Sequence, residues 1–309
     1  MKKVFIDGSA GTTGLRIFER LSERSDLEII TLSDEKRKDP IARKEMLNAA
    51  DVAFLCLPDD AARESVSLVE NLSTVVIDAS TAHRTLPDWA YGFPELSKQH
   101  EEKILNSKRI AVPGCHASGF IALVYPLIEA GLIDETALLT CHSITGYSGG
   151  GKKMIADYEN AERNPLLGAP RQYGLSQQHK HLKEMQAITG LGTAPMFSPI
   201  VADFYSGMTV TVPLFKEQLK NGDAVSIKEI YKAKYTGEIV KYEESIDESG
   251  FLSGLALSHK DSMRVTVQGN EDRILLIAAY DNLGKGASGA AIECMNLALG
   301  FARTKGLVL

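Results

Sequence analysis

No stretch of the 309-residue chain reaches the ~18 consecutive apolar residues that a membrane-spanning helix needs, so no membrane partner is expected. The start, Met1-Lys2-Lys3-Val4-Phe5-Ile6-Asp7, is charged but holds only three apolar residues in a row. A secretory signal needs roughly 7–15, so none is expected. Cysteine is scarce. Cys56, Cys115, Cys141 and Cys294 form no CxxC pair and no disulfide-dense framework. That suits a reducing compartment and predicts a cytoplasmic protein. A basic excess is also missing. The net charge of −6 argues against a general nucleic-acid binder, and any anionic ligand must be held by local positive groups. There is no internal repeat, which excludes a solenoid, and no low-complexity segment.

What is present reads as a globular chain. Hydrophobic residues make up 44% and charged residues 24%, ordinary values for a packed protein. At ~100–200 residues per domain the length predicts two domains. Short apolar runs at Lys2–Ile6, Leu27–Leu32, Asp51–Leu57, Thr74–Asp78 and Arg109–Val112 alternate with helical spacing at Thr12–Ser25, Ala42–Ala49, Asp59–Glu70 and Glu95–Leu105. Strands and helices alternating at this pace predict a doubly wound α/β domain with a parallel sheet. The rhythm changes after Gly114. His116–Gly131 is apolar almost all round and predicts a buried helix, which Pro126 should kink or end. Ala137–Thr145, Met208–Phe215, Met263–Gly269 and Arg273–Ala279 predict antiparallel strands of an α+β domain. Gly286–Arg303 returns to helical spacing and should pack on the first domain. The expected division is 1–114 with 286–309 as a nucleotide-binding domain, and 115–285 as a catalytic, substrate-binding and dimerising domain. The stretch Asn160–Gln178, rich in proline, glycine and polar residues, predicts a long functional loop.

Asp7-Gly8-Ser9-Ala10-Gly11-Thr12-Thr13-Gly14 follows the first strand and opens a helix. Glycine at every third position lets the backbone turn tightly and brings N–H groups and the helix start near a pyrophosphate. Gly8, Ser9, Gly11, Thr12, Thr13 and Gly14 are therefore candidate dinucleotide contacts, although the same glycines would also suit a plain tight turn. After the second strand comes Ser33-Asp34-Glu35-Lys36-Arg37-Lys38. An acid here would bind the ribose of NAD, whereas basic residues would hold the extra phosphate of NADP. Asp34 and the basic cluster point in opposite directions. The bidentate guanidinium of Arg37, with Ser33, favours NADP.

Pro113-Gly114-Cys115 leads from a strand through a turn to the start of an apolar helix. A helix start lowers a thiol pKa and offers N–H donors for an oxyanion. Cys115 is therefore the candidate nucleophile, while Cys56, Cys141 and Cys294 read as small buried hydrophobes. Gln178-His179-Lys180-His181-Leu182-Lys183-Glu184 supplies a candidate base. In a helix, His181 and Glu184 lie at i, i+3 and can meet. A zinc site is the alternative, but two histidines and one acid are too few ligands to argue for it, so no metal is expected. His83, His116, His142 and His259 read as structural or supporting residues.

Seven segments then occur together in order. They are Asp7 to Leu15, Asp78-Ala79-Ser80-Thr81-Ala82-His83-Arg84, Tyr91-Gly92-Phe93-Pro94-Glu95-Leu96, Pro113-Gly114-Cys115, Gly146-Tyr147-Ser148-Gly149-Gly150-Gly151-Lys152, His179 to Glu184, and Asp281-Asn282-Leu283-Gly284-Lys285-Gly286-Ala287. In this order the chain resembles the N-acetyl-gamma-glutamyl-phosphate reductases of arginine biosynthesis, in their shorter form. The resemblance implies a fold like that of aspartate-semialdehyde and glyceraldehyde-phosphate dehydrogenases. It implies Cys115 as nucleophile and His179 as acid–base, with His181 and Glu184 orienting it; the residues themselves leave the division of labour between the two histidines open. It places Ser80 and Asn282 toward the cofactor. Arg84, Ser148, Gly149 and Lys152 become candidate substrate contacts, with the glycine N–H groups and the Lys152 charge suited to phosphate.

The implied reaction is NADPH-dependent reduction of an acyl phosphate to an aldehyde through a Cys115 thioester. Splitting the reaction in this way holds the acyl group for the cofactor to reduce. A small-molecule acyl phosphate is the expected partner, and a homo-oligomer, dimer or tetramer, the expected assembly. The rivals are the same chemistry on another acyl phosphate, such as aspartyl phosphate, and a non-catalytic NADP sensor. The sensor would leave Cys115 and the histidines without a purpose.

Overall fold

The structure is a computed structural model that describes residues 1–33 and 35–309. The chain divides into two compact units, Met1–Pro113 with Ala287–Leu307, and Gly114–Gly286 with Val308–Leu309.

The first unit runs β1 (Lys2–Asp7), α1 (Thr12–Ser22), β2 (Leu27–Ile30), α2 (Pro40–Ala49), β3 (Val52–Leu55), α3 (Asp59–Ser67), β4 (Val75–Asp78), β5 (Ala90–Tyr91), α4 (Lys98–Asn106) and β6 (Arg109–Ala111). Its six strands are all parallel, in the order β2-β1-β3-β4-β6-β5. Both faces of the sheet are covered, which is why the strands read as unbroken apolar runs rather than alternating ones. On one face Val4, Ile6, Phe54 and Ile77 pack with Ile17 and Leu21 of α1 and with Ile292 of the C-terminal helix. On the other, Phe5, Ala53, Leu55 and Val76 pack with Leu47 of α2 and Ala62 of α3. From β1 the chain steps out to β2 and then returns to place β3 on the other side of β1. This reversal is the topological switch point, where open α/β sheets bind ligands beyond the strand ends.

The second unit runs α5 (Cys115–Glu129), β7 (Thr140–Gly146), α6 (Gly151–Glu159), β8 (Arg171–Gln172), α7 (His181–Thr189), β9 (Met196–Ala202), β10 (Met208–Phe215), α8 (Ala224–Lys234), β11 (Val240–Tyr242), β12 (Met263–Gly269) and β13 (Arg273–Tyr280). A π turn at Gly284–Ser288 then leads into α9 (Gly289–Ala298), which belongs to the first unit. The seven-stranded sheet has the order β11-β12-β13-β10-β7-β9-β8. It is mixed. β7 with β9 and β11 with β12 are parallel, and the other pairs are antiparallel. The four segments expected as antiparallel strands, β7, β10, β12 and β13, do pair antiparallel among themselves; the parallel pairs come from β9 and β11, which the sequence reading did not pick out as strands.

α5 packs on β10 and β13, with α7 and α8 beside it. Phe120, Ile121, Leu123, Val124 and Leu127 have no exposed surface, and each such burial is worth about 1.5–3 kcal/mol. Of the two outcomes expected at Pro126, a kink or an end, the helix does not end there; α5 continues to Glu129. Proline has no N–H for the carbonyl four residues back, and that carbonyl, of Ala122, accepts instead from the Tyr235 hydroxyl at 2.6 Å. The Leu123 carbonyl accepts from the Tyr231 hydroxyl. Two tyrosines of the α8 region thus supply donors where α5 needs them.

Candidate active site

The glycine turn of the first unit requires its glycines. Gly8 has φ +86°, and a Cβ there would lie 2.4 Å from the Cys56 carbonyl at the end of β3. A Cβ on Gly14 would lie 2.4 Å from the Gly8 carbonyl. Gly11 donates to Gly8 at 2.9 Å and caps α1 without a side chain. The Thr12 hydroxyl is buried with no protein partner, the condition of a polar group that meets a ligand oxygen. Asp7, at the end of β1, is held by Arg43 at 3.1 Å and by the Ser65 hydroxyl at 2.8 Å. Beyond β2 the amides of Lys36 and Arg37 both close on the Ser33 carbonyl at 3.0 Å, which leaves the Arg37 side chain exposed beside the turn. Asp34, the residue that argued for NAD, lies outside the described residues.

The loop after β4 is tied from within. Asp78 is fully buried and accepts from the Ser80 hydroxyl at 2.6 Å and from the Ser80 amide at 2.9 Å, with His83 Nδ1 at 2.6 Å. His83 stacks on Trp89 at 4.0 Å. The Ser80 hydroxyl also accepts from the Ala82 amide at 3.1 Å and so helps to shape the loop. Arg84 donates to the Val112 carbonyl at 2.8 Å and the Ala79 carbonyl at 3.1 Å. It fastens this loop to the strand end that precedes Pro113-Gly114-Cys115.

In the second unit, Cys115 is the first residue of α5 and is half-buried. The first-turn amides of a helix have no intrahelical acceptor, and they lie here at the thiol. Glu184 Oε1 accepts from the Gly114 amide at 2.8 Å, so α7 holds the Cys115 turn directly. On the opposite side, a Cβ on Gly286 would come 3.0 Å from the Cys115 Cβ. The Asp281–Gly286 turn is fixed by Asp281, whose carboxylate accepts from the amides of Leu283, Gly284 and His259 and from the Ser206 hydroxyl.

His179 and His181 meet at 4.7 Å between ring centroids, and the His181 amide donates to His179 Nδ1 at 3.2 Å. That nitrogen is an acceptor, so the neutral ring carries its proton on Nε2. A third histidine joins them. His116 lies 5.8 Å from His179 and 5.6 Å from His181. Its Nδ1 is 2.6 Å from the Ser143 hydroxyl and its Nε2 is 2.6 Å from the Tyr173 hydroxyl. Burial, together with neighbouring His179, pushes His116 down to about 3, so it is neutral near pH 7. Burial and the nearby Cys115 charge push Tyr173 well above the usual tyrosine range. Tyr173 thus joins His116, His179 and His181 in one cluster, a contact the sequence reading did not foresee. Tyr173 sits six positions before His179 in the Asn160–Gln178 loop, a spacing with no periodic signal. That loop is well anchored. Arg163 pairs with Asp203 at 2.6 Å, β8 joins the sheet, and the Gln177 amide bonds both backbone groups of Phe197.

In the turn after β7 two of the expected site residues are tied into the fold. Ser148 is buried, and its hydroxyl accepts from Asn282 Nδ2 at 3.0 Å. Asn282 Oδ1 accepts from the Gly207 amide at 2.8 Å. Both side chains brace the turn from beneath. Gly149, Gly150 and Lys152 are the exposed part of it. No group of three or more histidines, cysteines or acids able to hold a metal occurs among the described residues, and no helix among them is long and apolar enough to cross a membrane.

Comparison with known proteins matches this arrangement to two family models. Residues 3–104 match the semialdehyde dehydrogenase NAD-binding domain, and residues 115–282 match the semialdehyde dehydrogenase dimerisation domain. The chain is 42% identical to N-acetyl-gamma-glutamyl-phosphate reductase 2 of Nostoc sp., over 99% of each. It is 45% identical to the N-acetyl-gamma-glutamyl-phosphate reductase of Brucella ovis, over 96% of this chain and 99% of the relative. This chain belongs to the N-acetyl-gamma-glutamyl-phosphate reductase family. Its length fits the short form, since both relatives are matched almost end to end. The fold is shared more widely. Aspartate semialdehyde dehydrogenase II of Vibrio cholerae aligns with a TM-score of 0.73 at 16% identity, covering 97% of this chain and 98% of that one. The Candida albicans aspartate semialdehyde dehydrogenase, solved with NADP, aligns at 0.67 and 16% identity, covering 96% and 98%. In this reductase the Gly114-Cys115 turn is the common point of Glu184, Gly286 and α5.

Proposed function

We propose that this chain reduces N-acetyl-gamma-glutamyl phosphate to N-acetyl-glutamate semialdehyde and phosphate, a step of arginine biosynthesis, with NADPH as reductant. The observation that carries the substrate is 42–45% identity to reductases of that name over nearly the whole chain. The chemistry is supported by a half-buried thiol at a helix start beside a histidine cluster.

Cys115 attacks the γ-carbonyl carbon of the acyl phosphate. The C–O bond to phosphate breaks, phosphate leaves with the electron pair, and a thioester forms. First-turn amides of α5 receive the negative charge that develops on the carbonyl oxygen. Gly149 and Lys152 are placed on an exposed turn that suits a phosphate, and Arg84 remains a proposed substrate contact. When bound, a reduced nicotinamide supplies the hydride that turns the thioester into a thiohemiacetal. His179 manages the proton as the thiohemiacetal collapses to aldehyde and thiol. The residues present fit a dinucleotide, because the tightly packed Gly8–Gly14 turn leads straight into the start of α1 and the Thr12 hydroxyl there is buried without a protein partner. NADP rather than NAD is favoured by the Lys36-Arg37-Lys38 cluster after β2. A homo-oligomer formed through the second unit agrees with the dimerisation-domain match.

The test is the reverse reaction, with N-acetyl-glutamate semialdehyde, phosphate and either NADP or NAD, against aspartate semialdehyde. The acetylated aldehyde and NADP should give much the highest kcat/KM. An amide on the substrate nitrogen needs no counter-charge, whereas a free ammonium in such a pocket would be desolvated without a partner. Cys115→Ser should abolish turnover, since a hydroxyl is a far weaker nucleophile near pH 7. Equal kcat/KM for the two aldehydes would overturn the substrate, and turnover by the serine variant near the parent rate would overturn the thioester.

A further inference from the structure

We propose that Tyr280 is a positioning residue whose hydroxyl polarises the Cys115–His116 peptide and so strengthens the N–H donors at the start of α5. The inference rests on the reading of Cys115 as nucleophile.

In an α-helix the amide of residue 119 would donate to the carbonyl of residue 115. Here the Tyr280 hydroxyl touches both ends of that bond. It donates to the Cys115 carbonyl at 2.5 Å and accepts from the Gly119 amide at 3.0 Å. Space for it exists because residue 119 is glycine. A Cβ at that position would lie 2.6 Å from the Tyr280 oxygen and 2.6 Å from Val210 Cγ2. Glycine inside a helix costs about 1 kcal/mol relative to alanine, and α5 accepts that cost at the one turn where the hydroxyl enters. Tyr280 itself cannot swing away. It ends β13, is paired with Met208 on one side and Met263 on the other, and is fully buried. Burial and the Cys115 charge push its hydroxyl far above the usual range, so it keeps its proton and remains a donor to the carbonyl.

The Cys115 carbonyl and the His116 N–H are opposite ends of one trans peptide. A hydrogen bond on the oxygen polarises the whole unit and makes the N–H a better donor. The His116 N–H belongs to the first turn, among the amides that have no intrahelical acceptor. Those amides meet negative charge at Cys115, whether it sits on sulfur or on an attacked carbonyl oxygen. Tyr280 therefore acts on the chemistry without touching the reacting atoms. The motif beginning at Asp281 explains why the tyrosine is held so firmly, since Asp281 anchors the turn that immediately follows it.

Tyr280→Phe removes the hydroxyl and keeps the ring. The expected result is a kcat reduced about 5- to 30-fold with KM changed less than about threefold. That is milder than the ~10²–10³ lost with an oxyanion donor itself, because the donor stays and only its polarisation goes. Alkylation of Cys115 by iodoacetamide near pH 7 should slow about threefold or more. Alkylation needs no acyl phosphate, so it tests Tyr280 even if the substrate is misassigned. If the phenylalanine variant does not fold, 3-fluorotyrosine at position 280 decides, because it has nearly the same size and a more acidic hydroxyl. Its alkylation rate should equal or exceed the parent's. A phenylalanine variant that folds and keeps both kcat and alkylation within about twofold of the parent overturns the proposal, as does fluorotyrosine that slows alkylation.

Discussion

A buried histidine next to another histidine takes on a second proton only by gaining charge in a dry place. His116 is in that position between Ser143 and Tyr173. Its folded pKa is about 3, and its ordinary value is 6.5. Between those values the unfolded chain binds a proton that the folded chain does not, so stability rises with pH across the window and is lost as pH falls through it. Carboxylates dominate the lower part, so the informative range is about pH 5 to 6.5. His116→Gln should melt with a shallower dependence of Tm on pH there than the parent. Equal slopes would mean that His116 is not held neutral. The sequence made Cys115 legible, because a thiol after Pro-Gly at the head of an apolar run has one chemical reading. It did not reveal His116, whose role depends on Ser143 and Tyr173, 27 and 57 positions away. Nor did it show that Asn282 donates to Ser148, 134 positions away.

At the scale of elements, α5 shows how a local rule is overridden by a neighbour. Pro126 deprives the Ala122 carbonyl of its amide, and Tyr235 replaces it. Tyr235→Phe should leave that buried acceptor unsatisfied and cost about 1–3 kcal/mol, read as a lower urea midpoint with an unchanged m-value. Adding Pro126→Ala should recover much of the loss, because alanine restores the amide that Ala122 lacks. If the double variant is no more stable than Tyr235→Phe alone, the proline and tyrosine are not paired in this way. Strands buried on both faces, such as β3 and β4, were legible as apolar runs. β8, with two residues, and β11, with three, were not, since so short a strand has no period and forms only because a longer neighbour offers it an edge.

For the whole molecule, the mixed sheet of the second unit has two unlike faces. α5 packs on β10 and β13 on one side. On the other, Ile144 pairs with Ile200, and Pro213 with Leu275, in adjacent exposed or half-buried positions along β7, β9, β10 and β13. An apolar sheet face of this kind is a candidate association surface, and it falls within the dimerisation-domain match. Leu275→Glu together with Ile144→Lys should therefore lower the mass measured by sedimentation equilibrium, with far-UV circular dichroism unchanged. An unaltered mass would place the interface elsewhere. The sequence by itself determined the doubly wound sheet, the glycine turn and a thiol at the head of an apolar helix. Each of these rests on contacts within a few residues: a repeating strand and helix period, glycines that a tight turn demands, and a thiol at a helix start. Only the tertiary structure decided that Glu184 holds the Gly114 amide, that Tyr280 enters the first turn of α5, and that three histidines share one cluster. Those contacts join residues tens to more than a hundred positions apart, and local spacing carries no information about which distant side chains a packed sheet and helix will bring together.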